Sequence, residues 1–169
     1  NGRKPVVLEI TGPLELTPDI DRNKGFVGCI SRHTDIDYQH CASQWTYDDT
    51  HRVMTHWLKA GNIADVVFCH SDLAALAAYD AAKSMGMEKD MYFLGVDALP
   101  GKGEGIEAVQ QHRLTASYIY PTHGEEVIAL ALRILEGKPF QRVNNMKSYV
   151  VTPQNVVDVS LSSNALMRQ

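Results

Sequence analysis

Short apolar runs alternate with amphipathic stretches of helical period along almost the whole chain, and this alternation constrains the fold more than any other feature. Pro5-Val-Val-Leu-Glu-Ile10 closes at Thr11-Gly12-Pro13, and similar runs extend from Asp65 to Cys69, Met91 to Val96 and Leu114 to Tyr120. Runs this continuous fit strands buried on both faces better than half-exposed ones. Tyr38 to Trp45 is a weaker strand of mixed polarity, and Ser148 to Thr152 a last extended run.

Helices are predicted between them. Thr17 supplies an N-cap residue, Pro18 a proline at the first helical position, and Asp19 and Asp21 acid in the first turn; this helix runs to Arg32. Thr46-Tyr-Asp-Asp-Thr50 starts a second, with Val53, Met54, Trp57 and Leu58 on one stripe and Gly61 as its stop. From Asp72 to Met85 the small residues Ala74, Ala77, Ala78 and Ala81 recur at helical spacing and permit close approach to a sheet. Ile106 to Gln111 reads as a short helix. Pro121 begins the last, whose Val127, Ile128, Ala131, Leu132 and Leu135 hold one face until Gly137. Strands and helices in strict alternation with short connections define an α/β protein, a three-layer αβα arrangement with a mainly parallel sheet.

A chain of 169 residues supports one sizeable core. Residues 1–152 read as that unit, and 153–169 as a return segment and tail; from Asn155 onward the tail is polar and is expected to have no partner within the chain. Because the chain opens on Asn-Gly-Arg-Lys-Pro5 without a methionine, it reads as a piece of something longer.

Several function classes find no support. A net charge of −4 without any Lys/Arg cluster does not suit a nucleic-acid surface. No run approaches the ~20 apolar residues of a membrane span. Cys29, Cys41 and Cys69 lack CxxC spacing and read as buried apolar thiols. Among the histidines, His51 and His56 are spaced off one helical face and there is no HExxH, so no metal site is expected. The loop Gly101-Lys-Gly-Glu-Gly105 lacks the phosphate-cradling spacing, and no serine occupies a G-x-S-x-G elbow. Neither a cofactor nor catalysis is indicated; the enzymatic rival is a small hydrolase or phosphatase using Asp72 or Asp97.

Arg22, Trp45, Ser71, Asp72, Asp97 and Tyr120 fall at or just past carboxyl ends of predicted strands, where open α/β sheets bind ligands. Fork-shaped arginine donors, carboxylate acceptors and aromatic faces together suit a hydroxyl-rich ligand such as a sugar. Each residue also has a plainer reading. Asp72 reads equally as a helix N-cap, Asp97 as a loop cap, Trp45 and Tyr120 as packing, and Arg22 as a surface residue whose charge opposes the helix dipole.

Arg22-Asn-Lys-Gly-Phe26, Phe68-Cys-His-Ser-Asp72, Leu94-Gly-Val-Asp97, Leu114-Thr-Ala-Ser117 through Tyr120-Pro121, Leu135-Glu-Gly-Lys138 and Val151-Thr-Pro-Gln-Asn155 stand in one order. In this the chain resembles periplasmic sugar-binding proteins of the ribose-binding type and the effector domains of lactose-repressor-like regulators. The resemblance implies the C-terminal lobe of a two-lobed fold, with an N-terminal lobe of the same protein absent here, and non-catalytic binding of a monosaccharide by lobe closure. It carries the sugar-gripping arginine onto Arg22 and the accepting aspartate onto Asp97. The family's usual Asn-Asp becomes Ser71-Asp72, its usual glutamine becomes Tyr120, and Trp45 lies where members place an aromatic ring. The tail around Asn164-Ala-Leu-Met167 resembles the stretch leading toward the membrane in hybrid two-component sensors, which implies a periplasmic sensor. The rivals within the fold are an ABC-transporter component and a cytoplasmic repressor; a dimerising interaction module is a further one.

Overall fold

The computed structural model describes residues 2–13, 15–120, 123–145 and 148–159. Its strands are β1 (Val6–Thr11), β2 (Asp37–Ala42), β3 (Val66–Cys69), β4 (Tyr92–Asp97), β5 (Ala116–Ile119) and β6 (Val150–Val151). Its helices are α1 (Thr17–Ile30), α2 (Tyr47–Lys59), α3 (Asp72–Ser84), α4 (Gly105–Gln110) and α5 (Gly124–Leu135). They alternate as the sequence predicts. The sheet runs β2-β1-β3-β4-β5-β6, parallel except for β6, which pairs antiparallel with β5. The chain steps outward from β1 to β2 and then returns past β1 to β3, so right-handed crossovers put α1 on one face of the sheet and α2, α3 and α4 on the other.

The α2–α4 face holds the tighter core. Leu8, Ile10, Met54, Val67 and Phe93 are buried there with the alanines of α3, and each large side chain contributes ~1.5–3 kcal/mol of transfer free energy. Across α1 the interior is more polar: Glu9 and Thr11 alternate with Leu8 and Ile10 along β1, and both are fully buried.

Several expectations need correction. Thr17 is the first helical residue of α1 rather than its cap; Leu16 takes the cap position without a side-chain bond. Arg22 lies in the second turn of α1, past the first turn in which a cation opposes the helix dipole most. Ser71, not Asp72, caps α3 by accepting from Ala74 N at 3.2 Å. Cys69 is buried, but Cys41 is half-buried and Cys29 exposed, because α1 turns that position to solvent. The early tail does have partners: Val156 and Val159 are buried against the core as the chain re-enters a helical turn after Thr152. Pro121 and the Asn164–Met167 stretch lie outside the described residues, and α5 is described from Gly124. No residue of α5 is buried. Among the described residues, no helix is long and apolar enough to cross a membrane.

Candidate functional site

A cavity of about 250 Å³ opens at the carboxyl ends of the strands, lined by Pro18, Arg22, Trp45, Ser71, Asp97 and Tyr120. Each comes from a different connection of the sheet except Pro18 and Arg22, which share α1. The 75 residues that separate Arg22 from Asp97 are thereby closed to a single rim.

Arg22 is its centre. Its guanidinium donates from Nη1 to the His70 carbonyl and from Nη2 to Asp97 Oδ1 at 3.4 Å. Its Cζ lies 5.8 Å from the Trp45 ring centre and 5.2 Å from that of Tyr120, within cation–π range of both. A guanidinium has five N–H groups, and two are committed. The planar charge is held in place by rings and carbonyl while donors remain for a ligand.

Trp45 follows β2 with φ 57°, a left-handed conformation that turns its indole across Gly12. A Cβ on Gly12 would stand 2.1 Å from Trp45 Nε1, so only glycine fits beneath the ring. The indole N–H is buried there and has no hydrogen-bond partner among the described residues. Trp45 therefore meets the cavity with ring carbon rather than a donor.

Asp97 ends β4 with φ 117°, followed by Ala98 at 47°. Two successive non-glycine residues at positive φ form a strained corner of the kind found at ligand sites. Burial raises the Asp97 carboxyl above the ordinary aspartate range; Arg22 opposes this and Glu104 adds to it.

Asp72 is not on the rim. Its residue is 4% exposed, and its carboxylate points beneath the strand ends, where it accepts from Ala98 N at 2.7 Å and Ser117 Oγ at 2.6 Å. It fills a hole left by two glycines: a Cβ on Gly95 would approach Oδ1 to 2.1 Å and one on Gly105 would approach Oδ2 to 1.9 Å. Burial pushes this carboxyl up to about 7 against the hydrogen bonds of Ser117 and Ala98, with Asp97 and Glu104 adding to the rise. Its geometry is that of a brace for the Asp97–Ala98 corner. Ser71 does reach the rim, but its Oγ accepts from the α3 backbone.

Three residues that the sequence reading did not place in the site, His70, Asp19 and Glu9, lie behind Arg22. His70 is fully buried, with Nδ1 2.6 Å from Asp19 Oδ1 and Nε2 2.8 Å from Glu9 Oε1. Glu9 carried a signal, since an acid in an otherwise apolar strand needs a buried partner. His70 gave none by spacing. A second groove of about 570 Å³ lies near the amino ends of the strands beside Arg3, but that arginine is spent on a two-pronged pair with Asp65 at 2.6 Å on both prongs.

The chain's class follows from this fold and rim: a three-layer α/β lobe with a polar and aromatic site at the carboxyl ends of its sheet. Residues 2–139 match the periplasmic binding protein domain, and the chain belongs to that family. The fructose-binding periplasmic domain of a hybrid two-component system is 38% identical to it, with a TM-score of 0.90 over 98% of this chain and 55% of that one. A solute-binding protein of an ABC transporter from Bacillus halodurans, solved with myo-inositol, is 23% identical, with a TM-score of 0.80 over 94% of this chain and 55% of its own. The arabinose transporter component from a Shewanella species is 22% identical, with a TM-score of 0.81 over 98% and 56%. The latter two show the fold alone. No curated protein sequence matches the chain. The chain spans little more than half the length of these structures, as a single lobe of a type I periplasmic binding protein does.

Proposed function

We propose that this chain is the second lobe of a periplasmic sugar sensor, and that its rim forms half of a cleft for a monosaccharide of the fructose kind. The observation that carries the reading is Arg22, set between Trp45 and Tyr120 beside Asp97 with donors unspent. Vicinal hydroxyls need paired donors and acceptors when they leave water, and the apolar side of a sugar ring needs an aromatic face. The 38% identical fructose-binding domain belongs to a hybrid two-component system, which favours sensing over transport.

Binding without turnover accords with the lining. Ser71 Oγ is occupied as a cap and, among the described residues, no histidine lines the cavity; its one carboxylate, Asp97, faces the Arg22 guanidinium rather than a second acid or a base.

The complement of this half-cleft is a first lobe, and α5 offers it a surface. Val127, Ile128 and Leu132 are 60%, 63% and 54% exposed, an apolar stripe on a helix that buries nothing against its own sheet. Sugar bridging the two lobes would stabilise the closed state through contacts that the open state lacks, and closure is the signal.

Calorimetry with D-fructose, D-ribose and myo-inositol tests this reading on the chain alone and joined to a first lobe. Weak or undetectable binding is expected for the chain alone and micromolar binding for the two-lobed form. Micromolar affinity without a first lobe would overturn the half-cleft, and no sugar binding by the two-lobed form would overturn the ligand class.

A further inference from the structure

Helix α1 carries the central arginine, yet only Asp19 and Ile30 of its fourteen residues are buried. A helix with so little apolar burial needs another means of docking. Three of its side chains on one face supply it: Asp19, Arg22 and Asn23, at helical spacings of three and four. Asp19 Oδ1 accepts from Gly12 N at 2.6 Å and meets His70 Nδ1. Arg22 donates to the His70 carbonyl. Asn23 Nδ2 donates to Glu9 Oε2 at 2.9 Å, and Glu9 also accepts from Tyr38 O–H at 2.5 Å and meets His70 Nε2.

His70 is the hub of all three. Its ring spans from β1 to α1, and its main chain holds the guanidinium. Phe68, on the strand that leads into His70, seats the helix further along, stacked on Phe26 at 4.6 Å. Each ring nitrogen has a carboxylate oxygen within hydrogen-bond distance, one on β1 and one on α1. A side chain that donates at one end only leaves a buried carboxylate short of a partner, and the helix start is free to shift.

We propose that His70 is a positioning residue for ligand binding: the buried Glu9–His70–Asp19 bridge sets where α1 lies on the sheet and so where Arg22 presents its donors. His70 touches no ligand; it acts through its own carbonyl and through Asp19. The inference rests on the sugar-binding reading only in its effect on affinity, while its effect on Arg22 is independent of any sugar.

The first test is therefore ligand-free. In ¹⁵N NMR of the 169-residue chain, an anchored Arg22 guanidinium gives separate, slowly exchanging Nη signals, assigned by their loss in Arg22→Lys. His70→Gln is expected to collapse them into an averaged signal. In the two-lobed form it is expected to weaken D-fructose binding tenfold or more. Glu9→Gln added to His70→Gln lets the two amides pair while Gln donates to Asp19, and is expected to recover the Arg22 signals and most of the affinity. Should His70→Gln fail to fold, Asp19→Asn keeps Oδ1 as the acceptor that Gly12 N and the ring share but removes its charge, with the same direction expected at smaller size. Unchanged Arg22 signals in a folded His70→Gln or Asp19→Asn chain would overturn the inference. Anchored signals in a wild type that binds no sugar would overturn the sugar reading and leave the positioning role standing. Fructose binding that is lost in Arg22→Ala but within twofold of wild type in His70→Gln would overturn the positioning role alone.

Discussion

Arg22 and Asp97 meet at 3.4 Å across 75 residues of chain, the first from a helix on one side of the sheet and the second from the last position of β4. At that length the pair is loose: both side chains remain partly exposed, at 18% and 29%, and neither spends its full hydrogen-bonding capacity on the other. In the proposed cleft, that spare capacity is open to a third partner. Replacing Arg22 by lysine keeps a charge but loses the fork that reaches the His70 carbonyl and Asp97 at once. Sugar affinity of the two-lobed form is expected to fall by about 10- to 100-fold, the loss of one charge-assisted bond of ~1.5–3 kcal/mol. Asp97→Asn is expected to cost about as much. Titration calorimetry reads both, and affinity within twofold of wild type in either variant would remove the residue from the site.

Two glycines give a paired stability prediction. Gly95 faces the Asp72 carboxyl, and an added methyl would stand 2.1 Å from Oδ1 and 3.1 Å from the Asp72 Cα, neither free to retreat. Gly95→Ala is expected to destabilise the chain by ~1–3 kcal/mol through overpacking. Gly28, in the last turn of α1, has nothing within 4 Å of a built Cβ and no positive φ. Gly28→Ala is expected to stabilise by ~0.5–1 kcal/mol. Urea denaturation of the two variants should move in opposite directions.

The alternation of apolar runs and helical stripes was enough to read the sheet and its helices from the sequence, because continuous strands between helices have few other ways to bury themselves. The rim was legible for the same reason: Arg22, Trp45, Ser71, Asp97 and Tyr120 all follow strand ends, and parallel strands bring those ends together. Asp72 was misread because position alone does not say whether a polar side chain at a strand end turns outward or under. Its direction is set by Gly95 and Gly105, from β4 and the start of α4, whose missing side chains leave the hole it enters. His70 was hidden for a related reason. Its partners Glu9 and Asp19 lie 61 and 51 residues away, and no local spacing announces them.

Helix α5 separates stability from assembly. Ile128 and Leu132 are more than half exposed, so replacing both by serine removes little buried area from the chain. The unfolding free energy of this chain is expected to stay within ~0.5 kcal/mol of wild type. Joined to a first lobe, the same variant is expected to lose interlobe packing and to melt at lower temperature than the unaltered two-lobed form. Equal melting of the two would show that α5 is not the docking surface.

Asp72 gives the chain a pH dependence whose sign is fixed by burial. Its folded carboxyl is raised to about 7, against 3.8 for the free side chain, so between those values the folded state holds a proton that the unfolded state has released. A raised acid contributes its full stability below the unfolded value and loses it as pH climbs through the folded one. The difference, about three pH units at ~1.4 kcal/mol each, amounts to on the order of 4 kcal/mol. Asp97 is raised by its own burial and adds in the same direction. Asp72→Asn removes the ionisation while its amide oxygen still accepts from Ala98 N–H and its NH2 donates to Ser117 Oγ, reversing that one bond; both groups lie within 2.7 Å of the present carboxylate. Wild type should therefore lose stability relative to Asp72→Asn between about pH 4 and pH 8. Urea midpoints measured at both ends of that range read the effect. A gap between the two proteins that stays constant, or that narrows in favour of wild type as pH rises, would mean that the carboxylate is ionised in the folded chain throughout and that the Ser117 and Ala98 hydrogen bonds outweigh its burial.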